Sequence, residues 1–247
     1  MANRFAILCL IFFTSCATLS QIFQKDNYNY YSSEFKCSNQ RGWKNLEKFE
    51  AFYLVGGIIK SKYTEENLKI GKADVVIVGN SLVHLLTPDL VTTEFPGVNI
   101  VQRGIGGDMS DMLLERISDN VLNLHPKTII IEIGGNDLIN GKCLSFLENN
   151  VLLLIEKIRS VNSSAKIIFI SVPPTKNISL NAIVPVYNVF LASLTKKFPS
   201  VYFVDAWSEM REKDSPVIKE EFSRPQDKLH FNEKGYGIWG KLIRPLL

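Results

Sequence analysis

The sequence lacks several features that would each have pointed to a chemistry. Histidine occurs 3 times and cysteine 4 times in 247 residues. No group of these residues has metal-ligand spacing, so no metal site is expected and no cofactor is implied. A dinucleotide fingerprint is also missing. In Arg103-Gly104-Ile105-Gly106-Gly107-Asp108 the GxGxxG spacing fails, because Met109 stands where the last glycine is needed. The formal net charge is only +3 and no block of Lys and Arg stands out, which argues against nucleic acid as a partner. Lys60–Lys62 and Lys196–Lys197 read as solvated helix ends. There is no internal repeat and no low-complexity tract. The apolar run Phe5–Phe13 is well short of the roughly 20 residues that span a bilayer.

What remains is the composition of an ordinary globular protein, 46% hydrophobic and 21% charged, with enough chain for one sizeable domain. Its start is different. Arg4, the apolar run and the small exit Thr14-Ser15-Cys16-Ala17 have the layout of a secretory signal. We therefore expect residues 1–20 to be an export signal, 21–72 a linker with a helical extension, and 73–247 the main domain. The product would be periplasmic, envelope-attached or secreted. Phe13-Thr14-Ser15-Cys16 is similar to a lipobox, which would make Cys16 a lipidated membrane tether, although Phe13 replaces the usual Leu. Cleavage after Ala17 is the competing reading. Cys9 and Cys16 belong to the export segment. In an oxidising compartment Cys37 and Cys143 can pair; otherwise they are two unrelated thiols.

Past the Tyr- and Ser-rich stretch Gln24 to Gln40, a helix is expected from about Trp43 to Lys60. Leu46, Phe49, Phe52, Tyr53 and Ile58–Ile59 would share its face, with Gly56-Gly57 interrupting it. From Asp74 onward the pattern is regular. Short, β-branched apolar runs occur at Val75–Val78, Val98–Val101, Thr128–Ile133, Ile167–Ile170 and Val201–Val204, as expected of strands buried on both faces. Helical patterns lie between them. One runs over Met109–Leu124 with Asp108 or Ser110 as cap, and one over Leu144–Ile158. A third runs over Ile183–Leu194, with Pro185 acceptable only in its first turn. A last helix runs from Asn232 toward Leu246. Strand–helix alternation gives an α/β fold, a parallel sheet of about five strands with helices on both faces. Chemistry is then sought just beyond the carboxyl ends of the strands.

Each strand end carries a candidate. Gly79-Asn80-Ser81-Leu82 puts Ser81 near a helix start, where open N–H groups favour negative charge; alone, an ordinary N-cap serine is the commoner meaning. The glycine-rich turn after the second strand lets backbone approach a ligand. Gly134-Gly135-Asn136-Asp137 can point the Asn136 amide into a cleft while Asp137 serves as a helix cap. Finally, Asp227-Lys228-Leu229-His230 puts a carboxylate three residues before an imidazole. His125 belongs to the opposite end of the sheet, and His84 lies one turn beyond Ser81, so His230 is left as the base. Ser171 also ends a strand, but Pro173 and Pro174 follow too closely for a strand-to-helix turn.

Taken together, Val-Gly-Asn-Ser-Leu, Arg-Gly-Ile-Gly-Gly-Asp, Ile-Gly-Gly-Asn-Asp and Asp-Lys-Leu-His-Phe-Asn-Glu-Lys-Gly-Tyr resemble the SGNH, or GDSL-like, hydrolase family over about Asp74 to Leu247. The last block is similar to that of the branch resembling platelet-activating-factor acetylhydrolases. The resemblance implies a three-layer α/β/α, flavodoxin-like fold. It implies Ser81 as nucleophile, His230 as general base and Asp227 as its orienting carboxylate. It also implies an oxyanion hole of the Ser81 N–H, the Gly107 N–H (Gly104 in reserve) and the Asn136 amide. Two positions depart from the pattern: Asn80 replaces the usual Asp, and Gln102 stands where Asn often precedes Arg-Gly.

The expected function is hydrolysis of a small-molecule, lipid or carbohydrate ester. An envelope polysaccharide acyltransferase would use the same acyl-enzyme, and a non-catalytic exported binding protein is the remaining class. An α/β-hydrolase would want Gly-x-Ser-x-Gly, where Val83 stands instead of the last glycine. Acyl length, alcohol and oligomeric state are not readable from the sequence. Leu82, Leu138 and Ile139 are candidates for the pocket wall.

Overall fold

The computed structural model describes Cys37, Gly42 and residues 50–247. The expected export segment with Cys16, most of the 21–49 stretch, and the helical start with Leu46 and Phe49 lie outside the described residues.

Five parallel strands form the centre: β1 (Val75–Gly79), β2 (Ile100–Gly104), β3 (Thr128–Glu132), β4 (Lys166–Ile170) and β5 (Val201–Val204). Their order is β2-β1-β3-β4-β5, which is the flavodoxin-like doubly wound arrangement. The register sets Gly79 beside both Gly104 and Glu132, so three strand ends finish level with one another. Residues alternate between the two faces. Val75, Ile77, Ile130, Ile168 and Ile170 enter one core with Phe231, Tyr236 and Trp239. Val76, Val78, Ile129, Ile131, Ile167 and Phe169 point the other way and are equally buried. This is why the strand sequences are apolar almost throughout rather than alternating.

The helices are α1 (Glu50–Ile70), α2 (Ser81–His84), α3 (Pro88–Glu94), α4 (Ser110–Asn120), α5 (Gly135–Ile139), α6 (Leu144–Val161), α7 (Ile178–Lys197), α8 (Ala206–Met210) and α9 (Glu233–Ile243). On one side α1 packs on α4 and α4 on α6; on the other, α9 packs on α3 and α8. Asn232 caps α9 by accepting from the Lys234 N–H. Phe231, Tyr236 and Trp239 meet edge to face, with ring centres 4.7–5.6 Å apart.

Several elements differ from expectation. The first helix runs through Gly56-Gly57 to Ile70, so Lys60–Lys62 lie inside it rather than at its end. Tyr53 and Ile58, expected on the buried face, are exposed along with Leu54 and Val55. The buried side is instead polar and works by hydrogen bonds. Tyr63 donates to the Gly104 carbonyl at 2.6 Å, Asn67 donates to the Asp119 carbonyl, and Asn120 donates to the Lys60 carbonyl. The second strand begins at Ile100 rather than Val98.

The N-cap of α4 is Met109, not Asp108 or Ser110, and its side chain gives no bond. The acceptor comes from elsewhere: the Asp137 carboxylate takes the Ser110 N–H at 3.0 Å and its hydroxyl at 2.6 Å. The helix expected from Ile183 begins at Ile178, capped by Asn177, which leaves Pro185 inside it. Cys37 and Cys143 are joined in a disulfide with their Cα atoms 5.5 Å apart, tying Cys37 to the start of α6.

Candidate active site

The nucleophile loop follows from the strand it ends. Gly79 touches β3 so closely that a Cβ there would run into the Glu132 carbonyl. Asn80 then takes extended backbone, and its side-chain oxygen accepts the Leu82 N–H at 2.9 Å, starting the one-turn helix α2. Ser81 is the first residue of that turn, so its hydroxyl stands at the strand's carboxyl end.

The imidazole arrives from the far end of the chain. In the loop before α9, Asp227 Oδ1 accepts the N–H groups of Leu229 and His230 at 2.8 and 3.0 Å, curling the loop back on itself. Asp227 Oδ2 lies 2.8 Å from His230 Nδ1, and His230 Nε2 lies 2.9 Å from Ser81 Oγ. With the ring proton on Nδ1, facing the carboxylate, Nε2 accepts from the serine hydroxyl. Burial acts to raise the Asp227 pKa, but the His230 and Leu229 N–H groups and the imidazole outweigh it and hold the carboxyl below its usual value. The next residue, Phe231, is wholly buried, so the histidine is anchored in the aromatic core.

Ser81, His230 and Asn136 line one small cleft. Asn136 belongs to α5, whose start turns on Gly134 at φ 116°, and its amide donates to the Asp108 carbonyl at 3.1 Å. Of the expected wall residues, Leu82 and Ile139 line the cleft and Leu138 does not; Val172, Pro173, Leu180 and Leu229 complete its apolar side. Gly107, at φ 81°, is not among the lining residues. Gly104 is a packing glycine, since a Cβ there would strike the backbone of Val83 and His84.

The other early candidates fall elsewhere. Ser171 is buried and its hydroxyl accepts the Trp207 N–H at 2.9 Å. His84 is exposed, with Nδ1 3.0 Å from the Gly104 carbonyl oxygen. His125 ends a turn at φ 51° before β3.

Behind the cleft is a support that sequence reading did not find. Arg116 is fully buried, and its guanidinium donates to Asp108 Oδ2 at 2.6 Å, to the Gly79 carbonyl and to the Arg103 carbonyl. One side chain thus joins the ends of β1 and β2 to the glycine turn, and Asn136 reaches the same turn through Asp108. Burial pushes the Asp108 carboxyl up to about 6, with Arg116 opposing. Glu132 also lines the cleft. Its only sequence signal was a lone charge in an apolar strand.

A parallel sheet with a serine, an imidazole and a carboxylate in hydrogen-bonded series at its carboxyl edge defines a class of hydrolases. Residues 79–238 match the GDSL-like Lipase/Acylhydrolase family. The chain belongs to that family and is a hydrolase acting on ester bonds. No curated protein matches the sequence.

Among solved structures, a Streptococcus pneumonia protein provisionally described as a platelet activating factor is 21% identical, with a TM-score of 0.71 over 79% of this chain and 94% of its own. A GDSL-like lipase from Bacteroides thetaiotaomicron is 24% identical, with a TM-score of 0.59 over 76% of this chain and 96% of its own. A catalytic mutant of an acetylxylan esterase from Geobacillus stearothermophilus is 16% identical, with a TM-score of 0.56 over 71% of this chain and 94% of its own. At these identities the likeness is one of fold.

Proposed function

We propose that the protein is an exported serine esterase that removes short acyl groups through a covalent acyl-enzyme. The observation that carries this reading is the unbroken series Asp227 Oδ2–His230 Nδ1 at 2.8 Å and His230 Nε2–Ser81 Oγ at 2.9 Å, opening on a cleft. As the Ser81 oxygen attacks the ester carbonyl carbon, His230 Nε2 takes the hydroxyl proton. It returns that proton to the departing alcohol oxygen. Water then attacks the acyl-enzyme with the same nitrogen as base, releasing the acid and restoring Ser81. Asp227 keeps the ring in the required tautomer and stabilises its charged form.

The oxyanion would be held by the Ser81 N–H, in a first helical turn without intrahelical partners, and by the Asn136 amide. One amide proton of Asn136 is engaged by Asp108, which leaves the other for substrate. Gly107 is the third expected donor. Its absence from the cleft lining makes it the weakest member.

A short acyl group is favoured because the cleft is small and the polar Asn80, Glu132 and Thr175 share its lining with the apolar residues. The acetylxylan esterase relative supports an acetylated sugar as one substrate class. Export rests on the basic start, the Phe5–Phe13 run and its small-residue exit, with either a lipid on Cys16 or cleavage after Ala17. The test is hydrolysis of p-nitrophenyl esters from acetyl to palmitoyl by the wild type and by Ser81→Ala. Turnover of acetyl to butyryl esters that disappears in the variant is expected. Equal rates in the two proteins would overturn the nucleophile, and a preference for palmitoyl would overturn the short acyl site.

A further inference from the structure

Glu132 is the last residue of β3 and pairs in register with Gly79, two residues before the nucleophile. It is fully buried, it lines the same cleft as Ser81 and His230, and neither carboxyl oxygen has a hydrogen-bond partner. Its side chain shares the sheet face of Ile130, whose core includes Leu82, Tyr236 and Trp239. The groups around it come from several elements. Asn80 faces it from the nucleophile loop and favours its ionisation, though short of a well-formed hydrogen bond. Tyr236 of α9 and Tyr187 of α7 both feel its charge, and His230 lines the same cleft. No lysine or arginine is among the groups that set its proton affinity.

We infer that Glu132 is a positioning residue that serves the site only as a neutral acid, and that its ionisation in the cleft it shares with Ser81 switches the nucleophile off. This rests on the reading of Ser81 as nucleophile. The oxyanion forms at the serine, in a cleft that this carboxyl also lines. A carboxylate there, with no lysine or arginine beside it, repels the negative charge that must develop, while the imidazolium is already matched by Asp227. The proton leaves Glu132 for solvent, and no bond to carbon changes. Burial is the dominant influence and pushes its pKa up to about 8.

The same reasoning accounts for Asn80. An aspartate there, usual in the family, would set a second carboxylate beside Glu132, and two carboxyls in one apolar site resist ionising together. The amide keeps the cap on Leu82 without that conflict.

The experiment follows the rate at which a fluorophosphonate labels Ser81 from pH 6.5 to 9.5 in wild type, Glu132→Gln and Asn80→Asp, with Ser81→Ala as blank. For a midpoint near 8, wild-type labelling falls about tenfold between pH 7 and 9. In Glu132→Gln the ratio between those two pH values stays near one. In Asn80→Asp, which keeps the family's usual side chain, the midpoint moves to higher pH because a like charge opposes ionisation. The same alkaline fall in Glu132→Gln as in the wild type would overturn the inference, as would an unmoved midpoint in Asn80→Asp should Glu132→Gln not fold. Failure to label Ser81 at any pH would instead remove the nucleophile assignment, and this inference with it.

Discussion

Asn136 and Asp137 are neighbours in sequence with different tasks. The Asn136 amide lines the cleft, whereas the Asp137 carboxylate is buried against Ser110. Replacing Asn136 by Ala should lower kcat by about 10²–10³, the usual loss for one oxyanion donor, with an unchanged melting temperature. Steady-state kinetics alongside thermal melting checks this, and wild-type turnover would remove Asn136 from the oxyanion hole. The central residues were legible because their signals are local. Asp227 and His230 are three apart on one loop, histidine is scarce, and Ser81 follows directly on a strand. Arg116 gave no such signal, and Asp137 read as a cap for its own helix, where no side chain caps the start. Arg116 ties its near neighbour Asp108 to the Gly79 carbonyl 37 residues away, and Asp137 holds Ser110 27 residues away, links that only the packed fold makes.

At the level of elements, the cap of α4 is borrowed from another loop. Asp137→Ala strands the Ser110 N–H and hydroxyl, and should cost about 1–3 kcal/mol, read as a lowered melting temperature. Because α4 also carries Arg116, the variant should lose activity as well. A variant as stable as wild type would show that solvent replaces the carboxylate. The strands and the longer helices were readable from periodicity. The one-turn helices hold too little periodic pattern: α2 and α5 were legible only from the turn residues at their starts, and α8 was not legible at all. The face of α1 was misread for a different reason: it docks through Tyr63, Asn67 and the Lys60 carbonyl, so the apolar stripe that usually marks a buried face lies outside. Pro185 argued for a later start to α7. The Asn177 cap, which accepts the Leu180 N–H at 3.1 Å, wins instead.

For the molecule as a whole, three buried acids dominate how stability changes with pH. Burial raises Asp108 to about 6, Asp137 to about 7 and Glu132 to about 8, whereas in an unfolded chain all three release their protons near pH 4. The folded state therefore holds protons that the unfolded state has lost, and stability should decline as pH rises from about 4 to about 8. Thermal unfolding at pH 6 and 8.5 tests this, with the lower melting temperature expected at 8.5 and a smaller drop in Glu132→Gln. A flat profile would mean that none of the three acids is shifted. The disulfide spans 106 residues, and its removal in Cys143→Ala should cost about 2–5 kcal/mol while leaving ester turnover at room temperature. Equal melting with and without reductant would show that the bond adds nothing.

The separation of Ser81 from His230 by 149 residues also has a consequence for biosynthesis. A chain emerging from the ribosome exposes its serine first, then all the remaining strands, and only afterwards the histidine with the aromatic residues that seat it. Until α9 closes over Phe231, the serine has no base. Prematurely terminated fragments should therefore be inert toward esters, and the appearance of hydrolysis during translation would report completion of the fold itself.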